Sequence, residues 1–73
     1  MNTYIAQIIQ LLIFNNGEVT FNFLMEQLHI SKRMIDYYLK QFDAWRLSVN
    51  FPQIQIEDDK VLLECKDYEK FFN

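Results

Sequence analysis

The sequence predicts a mainly α (α+β) fold in which three helices are followed by a C-terminal two-stranded β-hairpin. Three observations carry that prediction. Apolar residues recur at helical spacing in three stretches before residue 50. Alternation of period two appears only after it, around a pair of aspartates. The 73 residues include one glycine and one proline, too few turn formers for a many-stranded sandwich.

The first helix spans roughly residues 3 to 15. Ile5, Ile8, Ile9, Leu12 and Ile13 form its stripe, and "NNG" at 15 to 17 brings the glycine that ends helices in the left-handed conformation. Leu11 and Phe14 lie off that stripe, so this helix is apolar on more than one face and offers a surface to a partner or to a further domain. Val19 and Thr20 are a β-type pair, and Thr20 caps a short second helix over residues 21 to 28. His29 and Ile30 form a tight turn, and Ser31 caps the third helix, about residues 31 to 48.

At 100° per residue, Ile35, Tyr38, Leu39, Phe42 and Val49 fall on one side of the third helix, with Trp45 at the margin. That side is assigned to the core, Trp45 included. Arg33, Tyr37, Lys40 and Ala44 cluster opposite, with Lys32 and Asp36 on one flank. "NFP" at 50 to 52 stops the helix, because the residue before proline disfavours α geometry. "IQIE", "DDK" and "VLLE" then read as strand, turn and strand, with Asp58 and Asp59 the residues best suited to positive φ. Residues 1 to 64 make one domain. The last nine, 65 to 73, read as the start of a linker to further domains, because Phe71 and Phe72 would otherwise face water.

Composition narrows the function. With 51% apolar residues, a chain near the lower size limit still has apolar surface for a core. The lone Cys65 permits no internal disulfide, and no ligand or catalytic spacing surrounds it, which places the chain in a reducing cytoplasm. "MNTYIAQIIQLLIF" lacks the basic region and small-residue cleavage site of a leader and is too short to span a bilayer, so no membrane association is expected. No nucleophile, base and orienting group appear together, and no glycine loop could cradle phosphate. An enzyme, a cofactor and a metal site are not expected. His29 reads as a turn residue rather than a ligand. The acidic "EDD" at 57 to 59 lacks the length and alternation of a calcium loop.

The net charge of −3 argues against indiscriminate polyanion binding, but the charge is partitioned. Lys32, Arg33, Lys40 and Arg46 stand against Asp36 and Asp43 within residues 29 to 46, whereas the tail from Glu57 onward is acidic. Positive charge therefore sits on and beside the exposed face of the third helix.

Three helices and a hairpin, with a tight turn between the second and third helices, is the order of a three-helix winged helix-turn-helix with a C-terminal two-stranded β-hairpin wing. "FLMEQLHISKRMIDYYLKQF" resembles the helix-turn-helix of many bacterial regulators, with Leu24, Glu26, Leu28, Ile30, Ser31, Arg33, Ile35 and Leu39 in register. "FPQIQIEDDKVLLE" is similar to the wing of Mga-like and BglG-type regulators, the phosphotransferase-regulated class, and the resemblance covers residues 5 to 64. Met25 and His29 depart from the family's small residues, and Met34 from its usual threonine. Tyr37 and Tyr38 stand where relatives often carry Arg and Asp, which removes a phosphate contact and implies weaker non-specific affinity.

The resemblance implies a sequence-specific domain for double-stranded DNA. Independently, the amino-terminal end of a helix in the major groove reaches base edges and favours phosphate. The candidate DNA-binding residues are Ser31, Lys32, Arg33, Asp36, Tyr37, Lys40 and, from the wing, Lys60. Arg33 suits guanine, Lys32 and Lys40 suit phosphate, and Tyr37 suits a phosphate or a thymine methyl. Asp58 and Asp59 would be repelled by phosphate, so the wing is expected to add little. The alternative is a protein-interaction or dimerisation winged helix that binds no DNA. A homodimer through the first helix or through further domains fits either reading.

Overall fold

The computed structural model describes residues 2–63. The elements are α1 (Thr3–Phe14), β1 (Glu18–Thr20), α2 (Phe21–Leu28), α3 (Lys32–Arg46), a 3-10 turn (Leu47–Val49), β2 (Ile54–Glu57) and β3 (Lys60–Leu63). The three helices and the C-terminal hairpin follow one another in the order read from the sequence. The expected extension at 65 to 73, with Cys65, Phe71 and Phe72, lies outside the described residues. None of the described helices is long and apolar enough to cross a membrane.

One correction concerns the sheet. It has three antiparallel strands in the order β1-β3-β2 rather than two, because Glu18, Val19 and Thr20 pair with Leu62, Val61 and Lys60. A hairpin alone is marginal in water and leaves an edge unpaired. Here β1 covers the second edge of β3, and Val61 becomes fully buried. Gly17, at φ +88°, makes the approach possible: its carbonyl accepts from the Leu63 N–H at 2.8 Å. A Cβ on Gly17 would stand 3.0 Å from the Leu63 carbonyl oxygen. Asn16 at φ +59° closes α1, and the Gly17 N–H reaches back to the Leu12 carbonyl at 2.7 Å.

The core lies between the three helices and one face of the sheet. Ile5, Ile8, Ile9 and Leu12 of α1 meet Phe21 and Leu24 of α2 and Ile35, Tyr38, Leu39 and Phe42 of α3. Val19, Val61 and Leu63 close it from the sheet. Ile13 is only partly buried, and Phe14 is 83% exposed.

The end of α3 differs from the periodic reading. The helix stops at Arg46 and tightens into a 3-10 turn, which advances fewer residues per turn and carries Val49 outward to 42% exposure. Asn50 at φ +57° reverses the chain, and Phe51 takes the core place expected of Val49. Its ring meets Phe42 edge-on at 5.4 Å, and its N–H donates to the Arg46 carbonyl. Trp45 leans on Phe42 at 5.8 Å yet stays 37% exposed, so it is not a core residue as spacing alone suggested.

Candidate nucleic-acid interface

Local chemistry sets the angle between α2 and α3. The Thr20 hydroxyl accepts from the Phe23 N–H at 3.0 Å and starts α2. His29, at φ +55°, ends it, with its N–H donating to the Met25 carbonyl at 2.9 Å. Histidine is among the residues that tolerate this left-handed geometry, so the turn survives without glycine. The Ser31 hydroxyl then accepts from the Met34 N–H at 3.2 Å and caps α3. Leu24 and Ile35, both fully buried, lock the two helices against the core.

This arrangement turns one face of α3 outward. Arg33, Tyr37, Lys40, Gln41 and Ala44 are all exposed, while Ile35, Tyr38, Leu39 and Phe42 are buried. Among the described residues the ion pairs take other cations: Arg46 holds Asp43 at 2.8 Å, and Lys60 holds Glu18 at 3.5 Å. Arg33 and Lys40 make no ion pair within that set. Asp43, on the Lys40 flank, has its charge occupied by Arg46, which leaves half-buried Asp36 as the carboxylate beside Lys40. The outward face is locally cationic in an acidic protein.

Ser31, Arg33, Met34 and Tyr37 border an open depression at the start of α3. On the other flank, Asp36, Leu39, Lys40 and Asp43 of α3 face Gln53, Ile54 and Ile56 across a shallow groove of about 340 Å³. Two carboxylates and one ammonium line it, so it carries no net attraction for a polyanion.

Six of the seven sequence-derived candidates, Ser31, Lys32, Arg33, Asp36, Tyr37 and Lys40, share α3 or its cap. Lys60 stands apart on β3, directed to Glu18. Contacts still link it to α3: the Asp59 carbonyl accepts from the Phe21 N–H at 2.9 Å, and the Lys32 ammonium lies 4.9 Å over the Phe21 ring. Gln41 was missed. Its Nε2 donates to the Tyr37 hydroxyl at 2.9 Å, and the signal for it was the four-residue spacing of two polar-tipped side chains on an exposed face. Tyr37 also rests on Tyr38, with ring centroids 5.6 Å apart, and Tyr38 stacks on Tyr4 at 5.3 Å.

No family model matches the chain, and no curated protein or solved structure matches it.

Proposed function

We propose that the chain is a sequence-specific duplex-DNA-binding domain of a cytoplasmic bacterial transcriptional regulator, of the Mga-like or BglG-type class its sequence resembles. The observation that carries this reading is the outward face of α3, where Arg33 and Lys40 stand without ion-pair partners among the described residues. A helix of this width fits the major groove. Arg33 has the donor fork that matches guanine O6 and N7, while Lys32 and Lys40 neutralise phosphates on either side. Ala44, one turn beyond Lys40 on the same face, adds only a small side chain there. Ser31 closes the helix end at which backbone N–H groups favour phosphate.

Few cations take part, so the domain binds weakly as a single copy. Two copies on half-sites about 34 Å apart, one helical turn, give the affinity a regulator needs. Titration of a labelled duplex pool at several salt concentrations tests the reading. Two phosphate contacts give a slope of log affinity against log salt of about −2. Affinity indifferent to salt, or unchanged by combined Arg33→Ala and Lys40→Ala, overturns it.

A second reading, a protein-interaction or dimerisation module, is favoured by Phe14 and Leu47, 83% and 69% exposed. Light scattering separates the two. A tight dimer broken by substitutions on the α3 face hides that face from DNA, whereas a dimer broken only by Phe14→Ser leaves it free.

A further inference from the structure

We infer that Gln41, oriented by Tyr37, reads an adenine in the major groove, so that a half-site pairs a guanine opposite Arg33 with an adenine opposite Gln41. This rests on the DNA-binding reading above and names the sequence chemistry it selects.

The Gln41 amide has two N–H donors on Nε2 and one acceptor, Oε1. In the structure one N–H is committed to the Tyr37 hydroxyl at 2.9 Å. The N–H on the Oε1 side of the amide and Oε1 itself form an adjacent donor and acceptor pair, which stays available when the other N–H goes to Tyr37. Adenine alone presents the complement on its major-groove edge, N7 as acceptor beside N6–H as donor. Guanine offers two acceptors there, cytosine a donor, and thymine an acceptor beside a methyl group. Arg33, Lys32 and Lys40 carry donors only and cannot make that distinction.

Tyr37 is itself held from two sides. Its ring meets Tyr38, which is buried and stacked on Tyr4 at the start of α1, and its hydroxyl is bound by Gln41. An exposed glutamine ordinarily samples many rotamers and loses them on binding. Here part of that ordering precedes DNA, and preorganised contacts discriminate better than mobile ones. The spacing suits a single site: Arg33 and Gln41 are eight residues apart, about 12 Å along the helix. At ~3.4 Å per base pair, the two bases lie about three to four pairs apart.

Selection of bound sequences from a randomised duplex pool, with the full 73-residue chain and its variants, tests this. The wild type is expected to enrich an adenine at a fixed distance from a guanine. Gln41→Ala should lose the adenine preference, about tenfold, and keep the guanine. Tyr37→Phe retains the ring packing and removes the hydroxyl, so it should weaken the adenine preference severalfold with an unchanged melting temperature. Arg33→Ala should lose the guanine instead. If the wild type enriches a sequence whose profile is the same in Gln41→Ala, or if Tyr37→Phe leaves the adenine preference intact, the inference fails and the DNA-binding reading stands. If the wild type retains no duplex from the pool at low salt, both fail together.

Discussion

The N–H of Phe21 donates to the carbonyl of Asp59 across 2.9 Å, joining the first residue of α2 to the turn of the hairpin. The bond satisfies one of the four N–H groups that a helix start leaves unpaired. It also holds the hairpin tip level with the start of α2. Asp58 and Asp59 occupy that tip, and Lys60 beside them is turned to Glu18.

Lys60→Ala is therefore expected to leave duplex affinity within about twofold, while Arg33→Ala weakens it about tenfold or more. The Lys60–Glu18 pair is half-exposed, and its loss should alter stability by less than about 1 kcal/mol. Fluorescence anisotropy on one selected duplex measures the first effect, and urea denaturation the second. A loss with Lys60→Ala equal to that with Arg33→Ala would assign the wing a role this geometry denies it.

The Ser31 cap is the local bond that starts α3. Ser31→Ala should cost about 1 kcal/mol of stability. In a domain of this size that corresponds to a melting temperature lower by about 4–8 °C. Ser31→Asp should restore most of it, since a carboxylate also caps and suits the positive helix end. Calorimetry on the three proteins reads the order directly.

Gly17 tests the third strand. Ala at this position meets both a left-handed φ and a Leu63 carbonyl 3.0 Å from the new Cβ. Gly17→Ala should destabilise the domain by about 1–3 kcal/mol, and amide exchange of Val19 and Val61 should accelerate with it. Unchanged protection at those amides would contradict the β1–β3 pairing.

Leu24 and Phe14 make a contrasting pair of apolar residues on neighbouring helices. Leu24 is fully buried, and Leu24→Ala should cost about 2–5 kcal/mol, enough to unfold much of so small a protein. Phe14 is 83% exposed, so Phe14→Ser should change monomer stability by less than about 0.5 kcal/mol. If Phe14→Ser unfolds the chain as Leu24→Ala does, α1 is packed on both faces and the exposed surface assigned to it is wrong.

The candidate site was largely legible before the fold, because its components are local. Ser31 as cap, His29 in the left-handed turn and Arg33, Tyr37 and Lys40 on one face follow from backbone chemistry and a period of 3.6 residues. The Tyr37–Gln41 bond was not read, since exposed side chains at helical spacing can pair or remain solvated with the same sequence. Lys60 looked like a free wing cation until Glu18, forty-two positions earlier, was placed beside it.

The sequence by itself determined the three helices, the caps at Thr20 and Ser31, the reversal at His29, the position of the hairpin and the exposed face of α3. Each depends on residues within a turn or two of one another, where periodicity and hydrogen-bonding side chains act directly. Only the tertiary structure decided that β1 joins β3, that Phe51 rather than Val49 fills the core under Phe42, and that Asp59 ties the hairpin to α2. Those outcomes depend on pairings between segments distant in sequence. Three residues such as Glu18–Thr20 carry no register of their own until Gly17 lets the backbone of Leu63 come within hydrogen-bond reach.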